Sequence, residues 1–183
     1  MAIVLGTNAG FVLARPVADP GGEVTSSIFD GATIGSKVVA PAGGAAITEV
    51  GIWCDTISEA AMMQVGLYNH DVANDCPHEL LAGTADFAKG IDAGWKYAAL
   101  AWPLVAGDTY WLAAQLDGVV TDTKTDRSVT ALSGNYAIKY SAALPADWDG
   151  AVDYANTRLI ALYAVYTLVK IPLFAASKRR RSG

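Results

Sequence analysis

Residues 106–117 read Ala-Gly-Asp-Thr-Tyr-Trp-Leu-Ala-Ala-Gln-Leu-Asp, and this stretch decides the fold class of the chain. A Gly-Asp pair typical of a tight turn comes first, and every second residue from Tyr110 to Leu116 is then apolar. This alternation predicts a β-strand with one face in a hydrophobic core. Trp111 falls on the opposite face, on the same side as Gln115.

The same two-residue period continues outward from this strand. Residues 47–54 and 62–69 both alternate, and the connection 55–61 between them is short enough for a hairpin. Further strands are predicted at residues 36–40, 80–87, 95–101, 135–140 and 158–169. Gly and Pro residues separate these strands at regular intervals, a pattern typical of an antiparallel β-sandwich. The prediction is therefore an all-β, jelly-roll-like antiparallel sandwich.

The predicted sandwich occupies residues 34–170. Residues 1–33, interrupted by Pro16 and Pro20, are predicted to form an extended N-terminal arm, and residues 171–183 a basic C-terminal tail. Residues 119–133 and 142–156 are polar and are predicted to be long loops.

The predicted strand 158–169 is apolar on both faces, which indicates burial on both sides. Two explanations are open. It is a central strand covered by the second sheet and by an arm, or its outer face is a subunit interface.

Composition and charge limit the function classes. The chain is 52% hydrophobic and 17% charged, and its 18 glycines favour strands and turns. Residues 1–153 carry 18 acidic and 7 basic residues, a net charge of −11, whereas residues 154–183 carry 6 basic and no acidic residues. An acidic body argues against nucleic acid as a partner. No apolar run approaches the roughly 20 residues of a membrane span, and the N-terminus lacks the basic region of a secretion signal, so we expect neither.

The residues that carry most enzyme chemistry are scarce. The only histidines, His70 and His78, fall in one predicted loop, and no Gly-x-Ser-x-Gly motif is present. We therefore expect no enzymatic activity and no cofactor. Cys54 and Cys76 could form one disulfide or remain buried free thiols. A zinc site formed by these cysteines and histidines is disfavoured, because a hairpin would separate Cys54 from His70 by about 20 Å.

Two other groups of residues are candidate binding sites. Asn69, Asp71, Asn74 and Asp75 crowd one loop and could bind Ca²⁺ or simply form a turn.

Trp53, Tyr68 and Trp111 lie opposite the core-facing residues of their strands, among polar neighbours. Such aromatic residues could stack on a sugar or form a protein interface, unless loops or the N-terminal arm cover this face. Lys178, Arg179, Arg180 and Arg181 are the candidate residues of an assembly arm.

Five segments carry a resemblance to a known module: Ile47-Thr-Glu-Val-Gly-Ile-Trp53, Gln64-Val-Gly-Leu-Tyr-Asn69, Leu80-Leu-Ala-Gly83, Gly94-Trp95 and Leu104-Val-Ala-Gly-Asp-Thr-Tyr-Trp-Leu-Ala113. Over about residues 34–117 the chain resembles a jelly-roll module of tailed-bacteriophage virion proteins and some secreted bacterial surface proteins. The resemblance implies a non-enzymatic structural protein of the virion, of the capsid-decoration, fibre or tail-associated type, assembled in the host cytoplasm. Its expected partners are other virion subunits in a homo-oligomer, plausibly a trimer. The alternative is a carbohydrate-binding module that recognises a host-surface glycan.

Overall fold

The computed structural model describes residues 2–21, 24–28, 30–43, 45–55, 59–118, 123–128 and 136–168, and within these ranges the chain is all-β with no helix. The strands are β1 (Gly10–Val12), β2 (Val24–Ile28), β3 (Ala32–Val39), β4 (Ala45–Cys54), β5 (Met62–Asp71), β6 (Cys76–Gly83), β7 (Phe87–Ala88), β8 (Gly94–Leu104), β9 (Thr109–Leu116), β10 (Lys124–Arg127), β11 (Tyr136–Tyr140), β12 (Tyr154–Asn156) and β13 (Leu162–Leu168).

Two sheets pack face to face. The smaller sheet has the strand order β1-β13-β4-β8, and the larger has the order β12-β11-β3-β9-β5-β6, with β7 paired to β5. Strands β10 and β2 form a separate two-stranded ladder. Among the strands that the structure describes, every pairing is antiparallel except that of β1 with β13, which is parallel. The predicted all-β class is confirmed, with two packed sheets.

Period-two alternation identifies the inner faces correctly. On β9 the alternate residues from Tyr110 to Leu116 join the core between the sheets, as do Val50 and Ile52 of β4. Leu112 in the centre is fully buried, and burying such a side chain stabilises the fold by roughly 1.5–3 kcal/mol.

The predicted hairpin between residues 47–54 and 62–69 is wrong, because β4 and β5 lie in different sheets. Both edges of β4 are occupied: Ile52 pairs with Leu162 on one side and with Lys96 on the other. The connection after β4 therefore crosses from the smaller sheet to the larger one. The apolar faces of both strands then meet across the core instead of lying side by side.

The predicted loop 119–133 contains a strand. Residues Lys124–Arg127 form β10, which pairs with β2 in the segment predicted to be an irregular arm. Thr125 and Asp126 are buried in this strand. Their polarity concealed the strand, because the sequence criterion depends on apolar alternation.

The N-terminal segment covers the outer side of the chain just before β13. Ile3 and Ala9 pack against Leu159 and Ala161, just before β13, while Leu162 lies in the main core. The predicted burial on both sides holds for residues 159–164, where the covering is within the chain, and is wrong for the end of β13, where Thr167 and Leu168 are exposed.

The predicted domain boundary at residue 34 falls inside β3, and β1 belongs to the smaller sheet. Residues 2–21 thus include a part of the sandwich. The predicted tail, residues 171–183 with Lys178, Arg179, Arg180 and Arg181, lies outside the described residues. Among the residues described, no helix has the length and hydrophobicity needed to cross a membrane.

Candidate functional site

The three aromatic residues singled out by the sequence are buried. Relative exposure is 8% for Trp53, 0% for Tyr68 and 1% for Trp111. Trp53 lies on β4 of the smaller sheet, whereas the other two lie on the larger sheet. The expectation of one open aromatic row is therefore wrong, and the alternative in which other segments cover these side chains describes the structure.

A loop of residues 141–153 covers Tyr68 and Trp111. The hydroxyl of Tyr68 donates a 2.8 Å hydrogen bond to the carbonyl of Pro145. The ring of Trp148, itself fully buried, packs edge-on against Tyr68 with 6.0 Å between ring centroids. Burial raises the pKa of Tyr68. We call residues 141–153 the cover loop.

The polar neighbours of these aromatic residues hold the cover loop in place. Oε1 of Gln64 accepts a 2.8 Å hydrogen bond from the backbone of Leu144, and Nε2 of Gln115 donates one of 3.3 Å to the carbonyl of Ser141. These two glutamines made the face look solvent-exposed in the sequence. They are instead partners for loop backbone that needs hydrogen bonds once it is buried.

Trp53 belongs to an aromatic cluster on the outer face of the smaller sheet. Its ring lies 5.5 Å from that of Trp95, and Trp95 lies 5.2 Å from Tyr163, both edge-to-face. Gly51 makes room for Tyr163, since a Cβ there would lie 2.7 Å from the tyrosine ring.

Residues 13–19 cross this cluster, and we call them the N-terminal strap. The guanidinium of Arg15 donates to both carboxylate oxygens of Glu49 and stacks 3.4 Å from the centre of the Tyr97 ring. The hydroxyl of Tyr163 donates a 2.7 Å hydrogen bond to the same carboxylate. Further along the strap, the carbonyl of Ala18 accepts a 3.0 Å bond from Trp95.

The charge on Glu49 depends on the strap. Burial opposes ionisation of this carboxylate, but hydrogen bonds from Arg15 and Tyr163 and the charge of Arg15 outweigh burial, so its pKa lies below the ordinary value. The hydrogen bond to Glu49 in turn raises the pKa of Arg15. Sequence reasoning missed this site. Its only signal was that Arg15 is the sole basic residue before Lys37.

Two cavities open side by side at the end of the sandwich where β3 and β13 finish. Their volumes are about 540 Å³ and about 710 Å³, and His70 and Thr109 line both. The walls of the first include Leu5, Phe11, Val38, Val39, Pro41 and Tyr166. The walls of the second include Val72, Leu81, Trp102, Pro103, Val105 and Tyr110. We call the two cavities together the end groove.

Several apolar side chains around the end groove are exposed to solvent. The exposed residues are Leu5, Val39, Val72, Val105 and Leu168, the last residue of β13. Exposed apolar residues are common singly, but a group around a concave surface is typical of a binding site.

The rim of the end groove also carries charge. Nδ1 of His70 accepts a 3.1 Å hydrogen bond from the indole of Trp111, and Nε2 lies 3.6 Å from Asp75. Lys37 donates to Asp75 at 2.8 Å. Asp108 is exposed and lines the second cavity.

The loop that contains Asn69, Asp71, Asn74 and Asp75, the candidate calcium site, forms hydrogen bonds within itself. Oδ1 of Asp71 accepts from the backbone of Ala73 and of Asn74, and Oδ2 accepts from the Asn74 side chain. This is the pattern of an aspartate-centred turn. Among the described residues, no group of three or more His, Cys, Asp or Glu side chains is placed to hold a metal ion.

Both cysteines are free and buried, so of the two alternatives the structure has free thiols. Cys54 lies in the smaller sheet and Cys76 in the larger. Burial raises the pKa of Cys54 to about 12, which makes it unreactive at neutral pH. At the same end of β4, buried Lys89 donates a 2.7 Å hydrogen bond to Thr123, and burial lowers its pKa.

Comparison of the chain with models of known families, with curated proteins and with solved structures found no match.

Proposed function

We propose that this chain is a non-enzymatic structural subunit of a tailed-phage particle, of the capsid-decoration or fibre- or tail-associated type, that acts through contacts between copies of itself. The end groove with its exposed apolar rim is the observation that supports assembly through contacts between copies. The proposal of a phage particle rests on the resemblance of residues 34–117 to the jelly-roll module and on the strand order.

The strand order supports a jelly roll. Strands β1-β13-β4-β8 of one sheet face the larger sheet, in which β3-β9-β5-β6 is extended beyond β3 by β11 and β12, and the chain changes sheet after β3, β4, β7, β8 and β12. Two four-stranded sheets form a jelly roll, which is found in viral capsid and lectin domains, and the strands β1-β13-β4-β8 and β3-β9-β5-β6 fit this arrangement, with β11 and β12 as additions. The edge strand β1 pairs with β13 in the parallel direction, whereas the other strands of the smaller sheet pair antiparallel.

The rim of the end groove supports contacts between copies. Val39 is 62% exposed and Val105 is 60% exposed, beside cavities whose walls are largely apolar. Covering this surface on a second subunit would remove apolar area from water, which is the main driving force of protein association. A closed homo-oligomer, with a trimer as the leading candidate, covers the surface on every subunit.

The mass of the full chain in solution tests this proposal. Size-exclusion chromatography with light scattering is expected to give an oligomer of about three chains. Val39→Asp places a charge on the rim and is expected to dissociate the oligomer. The matched control is Val17→Asp, because Val17 is 90% exposed on the N-terminal strap. A monomer at all concentrations, or equal behaviour of both variants, would contradict assembly through this end.

The alternative function, glycan binding through Trp53, Tyr68 and Trp111, loses its support because all three side chains are buried. A sugar could stack on Tyr68 or Trp111 only after the cover loop had moved.

A further inference from the structure

We propose that the end groove binds residues 171–174 of a second copy of this chain, and that the basic run after that segment lies against the acidic rim. This inference rests on the proposed function and deepens it, because it names the segment that links the copies.

The shape and composition of the end groove fit an apolar peptide. Its two cavities, of about 540 and 710 Å³, fall in the size range of ligand pockets. Tyr166 and Phe11 form part of one wall, and Trp102 forms part of the other. Residues 171–174 read Ile-Pro-Leu-Phe, which offers three large apolar side chains.

The chain itself leaves the sandwich at this end. Leu168 pairs with Ala45, which pairs on its other side with Leu104, the neighbour of Val105 on the rim. At about 3.3 Å per extended residue, Ile171 is within about 10 Å of Leu168. Every copy therefore carries the segment close to the surface that it fits.

The proposed function decides between a chain's own groove and that of a neighbour. Pro172 disfavours a turn at Ile171. Because the proposed function requires contacts between copies, the groove of a neighbouring copy is the host to be tested.

The acidic charges near the end groove are opposite in sign to those of the basic run at residues 178–181. Asp108 is exposed and lines the second cavity, and Asp75 lies 3.6 Å from the cavity-lining His70, with Lys37 as its paired cation. Residues 178–181 are all basic, and no acidic residue follows Asp153. Attraction between the two would be screened by salt, so docking should weaken as ionic strength rises.

Disulfide trapping in the full chain tests the proposal. Val39→Cys on the rim is combined with Leu173→Cys in the segment, and the chain is mildly oxidised. Cys54 and Cys76, at 0% and 2% exposure, are too buried to compete. The expected product is a disulfide between chains, seen as linked dimers and larger species by mass spectrometry without reductant. Val17→Cys with Leu173→Cys is the control and should give several-fold less product.

Each other outcome has a distinct meaning. A disulfide within one chain would overturn docking on a second copy. No disulfide from a chain that light scattering finds to be oligomeric would overturn this inference and leave the proposed function standing, whereas a monomer without the disulfide would overturn both. Replacing all four basic residues, Lys178 to Arg181, with Ser is expected to lower the trapping yield several-fold at low salt. An unchanged yield would remove the tail from the contact.

Discussion

The indole nitrogen of Trp111 donates a 3.1 Å hydrogen bond to Nδ1 of His70. Because Nδ1 accepts this bond, the neutral imidazole carries its proton on Nε2, on the side of Asp75. Trp111 lies under the cover loop, and His70 lines the end groove. The pair thus connects the covered outer face of the larger sheet to the surface that we propose for assembly.

Trp111 is therefore expected to matter for stability. Trp111→Ala would leave a large cavity beside Trp148 and should lower the free energy of unfolding by about 3–5 kcal/mol. Trp111→Phe keeps a ring but leaves Nδ1 of His70 without its donor, and should cost about 1–3 kcal/mol. Urea unfolding of each variant measures both values. Tyr140→Ala is the control, because Tyr140 is 72% exposed. An equal loss for Trp111→Ala and the control would contradict the structural role.

Asp126 gives the stability a pH dependence of defined sign. It is 2% exposed, and burial, with the nearby charges of Asp55 and Asp19, raises its pKa to about 6 from an ordinary 3.8. Between these values the folded chain binds a proton that the unfolded chain has lost. Stability should thus fall as pH rises from about 4 to about 6 and stay lower above that, by up to about 3 kcal/mol.

Asp126→Asn should remove this loss, so that its free energy of unfolding changes less than that of the wild type over the same pH range. Asp86→Asn, at an exposed position, should leave the wild-type slope in place. If Asp126→Asn kept the full slope, another group would have to be responsible.

The N-terminal strap is expected to depend on the pair formed by Arg15 and Glu49. Arg15→Ala should increase deuterium uptake of residues 13–19 while costing at most about 1 kcal/mol of global stability, because the pair is partly exposed. Hydrogen-exchange mass spectrometry measures the local effect. Lys37→Ala, which breaks the pair with Asp75, should change exchange near residue 75 but not in the strap.

The pair of Arg15 and Glu49 also predicts that the N-terminal strap is held less tightly in acid. The pKa of Glu49 lies below its ordinary 4.5 in the folded chain, so its contribution is present above about pH 4.5 and is lost as pH falls through the folded value. Glu49→Gln should lack this acid-dependent step in strap exchange. Retention of the step in the variant would exclude Glu49 as its source.

The faces of the strands were predictable, whereas their partners were not. Alternation on β4 and β5 correctly separated Val50 and Val65, in the core, from Trp53 and Tyr68, outside it. A two-residue period reports which face is apolar, but it carries no information on which sheet a strand joins. The hairpin error arose because the short connection joins strands of different sheets and not neighbours in one sheet.

The candidate site was misjudged for a different reason. Gln64 and Gln115 indicated a solvent-exposed face. A polar side chain can equally form hydrogen bonds with the backbone of a segment that packs over it. The bond from Arg15 to Glu49 spans 34 residues and follows no local pattern, so only the folded chain reveals it.

Gly51 offers the sharpest test of the aromatic cluster. A Cβ at this position would lie 2.7 Å from the ring of Tyr163 and 2.8 Å from the carbonyl oxygen of Lys96. The carbonyl belongs to β8, which is paired to β4 at this point and cannot retreat without breaking the ladder. Gly51→Ala should therefore cost about 1–3 kcal/mol or more, measured by urea unfolding.

Gly118→Ala is the matched control, because a Cβ there would lie 4.0 Å from its nearest neighbour, the Cα of Gly31. Its cost should be within about 0.5 kcal/mol, as at ordinary surface positions. Since Tyr163 supplies part of the clash at Gly51, Gly51→Ala should cost less in a Tyr163→Leu background than in the wild type. If Gly51→Ala lowered the free energy of unfolding equally in both backgrounds, the cost would come from the β8 carbonyl alone. Tyr163 would then make no contact that a Cβ at position 51 disturbs.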